Sequence, residues 1–146
     1  MKKISLLIVI ALLLFSCASS DELRTSPTTL NINGSTFSLD AYVWRDFMPP
    51  TADDGDGMRS TVTLNLISGP EILNSVHLVR QYVIKDNEVW AADLYDLTIN
   101  SSTYAGTSAN GPKWGPNILV DVVLEFTYDG QTYKILVANV NIEKVE

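Results

Sequence analysis

The sequence predicts an all-β fold, an antiparallel β-sandwich, with a small open β-barrel as the alternative. Three observations carry that expectation. After Thr28, apolar and polar residues alternate with a period of two along most of the chain, as in strands that bury one face. Asn33-Gly34 and Asp129-Gly130 interrupt the alternation, and such pairs favour tight hairpin turns because both residues tolerate positive φ. No segment carries the apolar repeat of a long amphipathic helix.

The elements follow in order. Residues 29–32 form a short alternating strand that Asn33-Gly34 turns into a second, 35–45, with Phe37, Leu39, Ala41 and Val43 on one face and Tyr42 and Trp44 on the other. In 60–67, Val62, Leu64 and Leu66 alternate with Thr61, Thr63 and Asn65. Segments 76–85 and 88–95 flank Asp86-Asn87 as a hairpin, and Val76, Leu78, Tyr82 and Ile84 share one face, with Arg80 among them. Residues 91–97 fit a strand or a helical turn. The most regular strand holds Ile118, Val120, Val122, Leu124 and Phe126, and Asp129-Gly130 turns it into 131–143. There Tyr133, Ile135 and Val137 have one parity and Val140 and Ile142 the other. That switch predicts a β-bulge near Ala138-Asn139, or a strand covered on both faces. About seven short strands indicate an immunoglobulin-like sandwich, although its cysteine–tryptophan–cysteine signature is absent.

The beginning of the chain has a different chemistry. Met1-Lys2-Lys3 is positive, 4–15 is almost wholly apolar, and Ser16-Cys17 ends the run. The run is short of the roughly 20 residues of a bilayer span and suits the core of a secretory signal. Leu14-Phe15-Ser16-Cys17 resembles the lipobox of bacterial lipoproteins, with Phe15 where a small residue is commoner. The resemblance implies cleavage before Cys17, a diacylglyceryl group on its sulfur and an acyl chain such as palmitate on the new amine. Two or more acyl chains hold a protein stably on a membrane. An ordinary signal peptide cut near Ala18, or an uncleaved apolar tail, is the alternative. The expected organisation is a signal peptide at 1–16, a lipidated flexible tether at 17–27 and one sandwich domain at 28–146. The expected location is the cell envelope, at the outer membrane, facing the periplasm or the surface. Ala18 is not the aspartate associated with inner-membrane retention, and Ser19-Ser20-Asp21-Glu22 resembles the acidic tethers of some surface-exported lipoproteins.

Charge and cysteine content narrow the function. The chain has 10 basic and 17 acidic residues, a net charge of −7, and loss of Lys2 and Lys3 makes the mature chain −9. Such a surface repels nucleic-acid phosphates and does not dock electrostatically on anionic lipid. Cys17 is the single cysteine; once lipidated it leaves no disulfide, thiolate metal site or cysteine nucleophile.

Two long connections are the candidate recognition surface. The first, 47–59, contains Asp53, Asp54 and Asp56 among glycines. Three carboxylates are a weak calcium candidate, but Asn65 stands where an EF-hand loop begun at Asp54 needs a bidentate glutamate, and no cofactor is expected. A solvated acidic turn is the competing reading. The second, 100–117, carries Tyr104, Lys113 and Trp114, which fit a glycan or an envelope protein; the competing reading is that Trp114 plugs one end of the sandwich. Arg45 either orders the acidic loop by pairing with one of its aspartates or contacts a ligand at the rim. Trp44 and Trp90 are expected in the core, and His77, the only histidine, at the surface. No Gly-x-Ser-x-Gly elbow is present, and nothing singles out a carboxylate pair among Asp93, Asp96 and Asp121. Asn33-Gly34-Ser35 and Asn100-Ser101-Ser102 read as turn chemistry rather than glycosylation sites. The expected function is that of an envelope lipoprotein with a non-catalytic binding or assembly module. The alternatives are an inhibitor of an envelope-directed hydrolase that inserts Gly111-Pro112-Lys113-Trp114, a small hydrolase, or a structural subunit with an uncovered apolar patch.

Overall fold

A computed structural model describes residues 18–50 and 53–146. The signal segment, Cys17 and the lipobox reading lie outside the described residues. Nine strands are present among the described residues: β1 (Thr29–Ile32), β2 (Ser35–Asp46), β3 (Arg59–Ser68), β4 (Val76–Lys85), β5 (Glu88–Asp93), β6 (Tyr95–Ile99), β7 (Thr103–Ser108), β8 (Leu119–Tyr128) and β9 (Gln131–Val145). They hydrogen-bond in the order β5-β4-β8-β9-β2-β3-β7-β6, with β1 added beside β2.

This order makes one curled, mixed sheet that folds over on itself. Lettered in chain order from β2, one half is A-B-E-D and the other G-F-C-C′, the strand arrangement of an immunoglobulin-like sandwich. Both margins are tied. On one side β9 pairs antiparallel with β8, then runs parallel to β2 from Val43↔Ile142 to Asp46↔Val145. On the other side Leu94 alone separates β5, in one half, from β6, in the other. The all-β expectation is therefore met, by a sheet with features of both the sandwich and the open barrel.

Alternation explains the core. Phe37, Leu39 and Val43 of β2, Val62 and Leu64 of β3, and Val122, Leu124 and Phe126 of β8 point inward and are buried. The Phe37 and Phe126 rings meet between the halves at 6.4 Å between centroids, tilted by 57°. Asn33-Gly34 turns β1 into β2 with φ of 52° and 89°, as its chemistry predicts.

Two bulges redirect side chains. In β9, Val140 faces Val120 and Val137 faces Val122, so Ala138 and Asn139 together oppose Asp121. Asn139 has φ 57° and its N–H donates to Asp121 Oδ1 at 3.0 Å; the expected parity switch is a bulge. In β4 the register shifts between Leu78 and Arg80, which corrects the face expected for this strand. Val76 and Val83 enter the main core, whereas Tyr82 and Ile84 point to the opposite side.

The two strands the sequence did not reveal are β6 and β7. The segment 91–97 holds no helical turn, and the connection expected at 100–117 contracts to 109–118 because 103–108 is a strand. Thr-Tyr-Ala-Gly-Thr-Ser lacks an apolar alternation because β7 is packed through small residues. A Cβ on Gly106 would stand 2.9 Å from Leu97 Cδ2 and 3.1 Å from Leu94 Cβ.

The stretch expected as a flexible tether is folded from Ser20 onward. Ser20–Arg24 forms a helix, α1, whose N-cap Ser19 accepts the Glu22 N–H at 3.2 Å. Leu23 is 1% exposed. It packs with Ala18 on a second apolar cluster of Tyr82, Ile84, Val123 and Leu136, on the outer face of β4, β8 and β9.

Candidate functional site

The two long connections meet at one end of the sandwich, and Arg45 joins them. Arg45 lies near the end of β2 and is 4% exposed. Its Nε donates to the Asp56 carbonyl at 3.0 Å, and its Nη1 donates to the carbonyls of Gly115 at 2.9 Å and Lys113 at 3.3 Å. Nη2 donates to the Asp54 carbonyl. The guanidinium lies over the Phe47 ring, 4.9 Å from its centroid. A planar fork of donors suits four carbonyls converging on one point. Arg45 thus orders the acidic loop through its backbone instead of its carboxylates, and as a buried clamp it does not offer a rim contact.

The loops hold each other as well. Gly111 N–H donates to the Met58 carbonyl at 2.9 Å, and Met58 N–H donates back to Gly111 at 3.3 Å. Trp90 lies against Gly111, where a Cβ would meet the indole at 2.9 Å. At the surface Lys113 Nζ donates to Asp54 Oδ2 at 2.9 Å. That ammonium holds the Asp54 carboxyl below its ordinary range, first through the hydrogen bond and then through its charge. The three aspartates do not converge, and among the described residues no group of three or more His, Cys, Asp or Glu side chains gathers as a metal would require.

The other predicted contact residues separate. Tyr104 lies on β7, half-buried against the main core, and Trp114 packs on the same core with Lys85 Nζ 5.9 Å from its ring centroid. Trp114 is a plug at this end, and Gly111-Pro112-Lys113-Trp114 is tied down along its length rather than protruding. Asp93, on β5, and Asp96, on β6, stay exposed; Asp121, on β8, is engaged by Arg24. His77 is exposed on β4.

Trp44 is the correction with most consequence. It lies on the outer face of β2, not in the core, stacked on Tyr42 with ring centroids 5.1 Å apart and planes 25° apart. Tyr42 is 50% exposed. Beside the pair, Thr61 and Thr107 share a hydroxyl hydrogen bond of 3.0 Å, and Asn65 Nδ2 donates to Asp40 Oδ2 at 2.9 Å. The alternation in 35–45 already placed Tyr42 and Trp44 together on the polar face, which was the signal for this pair.

The opposite outer face is organised by Asp121, Tyr82 and Arg80, which the sequence marked only as strand or carboxylate positions, together with Glu125, Lys134 and Arg24. Arg24 Nε donates to Asp121 Oδ2 at 2.8 Å and its Nη1 to the Asp86 carbonyl at 2.5 Å. Glu125 accepts the Tyr82 hydroxyl at 3.0 Å, with Arg80 and Lys134 each 3.8 Å away. Burial, and then Glu125, raise the Tyr82 hydroxyl above its ordinary pKa. Leu23 behind a Ser-Ser-Asp-Glu start was the available signal for α1, an N-cap followed by acidic first-turn residues.

Comparison of the chain with known protein families, with curated proteins and with solved structures found no match.

Proposed function

We propose that this chain is a lipid-anchored cell-envelope protein whose immunoglobulin-like domain is a non-catalytic binding module. Its recognition surface is the outer face of β2, β3 and β7, and its ligand class is a glycan. The observation that carries the reading is the Tyr42–Trp44 stack on a sheet face whose neighbouring outward residues, Asp40, Thr61, Thr63 and Asn65, are polar, with Ile67 exposed farther along β3. Aromatic rings give sugar C–H faces an apolar partner, while neighbouring hydroxyl, amide and carboxylate groups fix orientation. Asp40, Thr61, Asn65 and Thr107 supply such groups from adjacent strands.

The test is titration of the folded protein with soluble glycans prepared from bacterial envelopes. Saturable binding that weakens at least tenfold in Tyr42→Ala, with an unchanged unfolding midpoint, is expected. Equal binding by the variant, or none by the parent, sinks the assignment.

An assembly role is favoured by a different observation. Edge strand β6 leaves Tyr95, Leu97 and Ile99 between 43% and 50% exposed. Such an edge is a ready site for another strand, although its shortness and the register shift after Tyr95 restrain pairing. Self-association abolished by Leu97→Lys, measured by light scattering, is the outcome that selects this reading.

A further inference from the structure

The folded start of the domain leaves almost no chain between it and Cys17. Ala18 packs on the outer cluster of β4, β8 and β9, Ser19 caps α1, and Leu23 is buried beneath it. Arg24 then fastens α1 to Asp121 of β8 and to the β4–β5 turn at Asp86. From Cys17 to Ser20 is three residue steps, at most about 11 Å fully extended. With Ala18 and Ser19 already engaged, little of that length is slack.

From this we infer that the domain is held against the bilayer in one orientation, with α1 and the β4–β5 turn at the lipid headgroups. The inference rests on the proposed lipidation of Cys17. The occupant of this surface is the headgroup layer of the membrane that holds the acyl chains. The arrangement also fixes where both long connections lie. Lys85, beside the β4–β5 turn, sits over Trp114, and Lys113 pairs with Asp54, so both loops belong to the membrane-proximal end. The β1–β2, β6–β7 and β8–β9 turns lie at the other end of the strands, as the pairings of Ile32 with Ser35, Ile99 with Tyr104 and Tyr128 with Gln131 require. Ten-residue β3 spans between the two ends, about 30 Å at roughly 3.3 Å per residue. The Tyr42–Trp44 face is on the half opposite α1, with Trp44 toward the membrane-proximal end of β2.

Charge does not supply the orientation. Asp21, Glu22, Asp86 and Glu88 surround α1 and the adjacent turn, and Arg24 is already paired. The short connection is what sets it, so the same orientation is expected on zwitterionic lipid.

The test uses the full chain, processed and lipidated in cells, and reconstituted into phosphatidylcholine vesicles containing a headgroup-quencher lipid. With Cys17 acylated, Asn87→Cys and Ser101→Cys each provide a single site for a maleimide fluorophore. Quenching at least threefold stronger at position 87 than at 101 is expected. Insertion of twelve Gly-Ser residues between Cys17 and Ala18 is expected to bring the two close to equality. Equal quenching in the chain without the insertion overturns the orientation. A chain that takes up label without an introduced cysteine, and lacks the acyl mass on Cys17, overturns the lipid anchor itself and is recognised separately by mass spectrometry.

Discussion

The two outer faces of the sandwich are built by the same alternation of side chains and finished in opposite ways. On β4, β8 and β9 the outward residues are Tyr82, Ile84, Val123 and Leu136, and α1 covers them, bringing Leu23 down to 1% exposed. Around that cover, Arg24 and Asp121, and then Glu125 with Arg80, Lys134 and Tyr82, use up the polar groups. On β2, β3 and β7 the outward residues include threonines, Asn65, Asp40, Arg59, one aromatic pair and the exposed Ile67, and no element of the described chain lies over them. A sheet face that must be sealed carries branched apolar residues and a lid. A face of hydroxyls, amides and one exposed stack is soluble as it stands, and its aromatic surface is available to a ligand. On the proposed reading, attachment belongs to the covered face and recognition to the open one.

That contrast is most sharply tested at the lid. Leu23→Ala removes the buried side chain by which α1 holds the outer cluster. A destabilisation of about 2–4 kcal/mol in urea unfolding is expected, as for large-to-small substitutions at well-packed sites. A loss below about 1 kcal/mol shows α1 to be a loosely resting segment, and the two faces then cease to differ in kind.

Asp121 comes next, because it has two tasks. It accepts from Arg24 and also from the Asn139 N–H that fixes the β9 bulge. Asp121→Ala is expected to cost about 2 kcal/mol, since a hydrogen bond to a charged acceptor contributes more than a neutral one. Arg24→Ala, on a pair with partly exposed side chains, is expected to cost about 1 kcal/mol or less. If the two variants are equal, the bulge does not depend on the carboxylate. A double-mutant cycle isolates the pair itself.

Tyr82 gives the covered face a pH signature. Its folded pKa is raised above the unfolded value near 10, by burial first and Glu125 second. The folded state therefore retains the proton that the unfolded state releases. Stability is intact below about pH 10 and falls as pH rises through the folded value. Tyr82→Phe removes this term, so its unfolding free energy is expected to decline less steeply than the parent's above pH 10. Parallel curves would place the alkaline sensitivity elsewhere.

How much of this was legible in the sequence depended on whether burial left a pattern. Phe37, Leu39, Val62, Leu64, Val122 and Leu124 alternate because each strand buries one face, and the fold class followed from them. The Ala138-Asn139 bulge was visible as a change of parity. The β4 bulge was not, because Tyr82 and Ile84 are apolar on whichever side they point. Edge strand β6 shows no alternation since all five of its residues are exposed, and β7 shows none because Gly106 must be small beneath Leu97. Arg45 was legible as an organiser of the acidic loop, but not as a ligand for four carbonyls brought together from two connections. The helix after Cys17 was obscured by composition: four polar residues precede Leu23, and they read as solvated chain until the covered sheet face is seen.

The open face is tested by the smallest expected change in stability. Tyr42 is half-exposed and its ring rests on Trp44, on the outside of a strand whose core contacts come from Ala41 and Val43. Removing an exposed ring sacrifices part of one stacking contact and little buried area. Tyr42→Ala is therefore expected to shift stability by no more than about 0.5–1 kcal/mol. Glycan binding, measured on the same preparation, should fall at least tenfold. A residue kept for packing gives the reverse result, a larger loss of stability with binding unchanged, and that would return Tyr42 and Trp44 to a structural role. The paired measurement separates the two because Tyr42 is half-exposed, so its ring is open to a ligand while little of its area is buried in the fold.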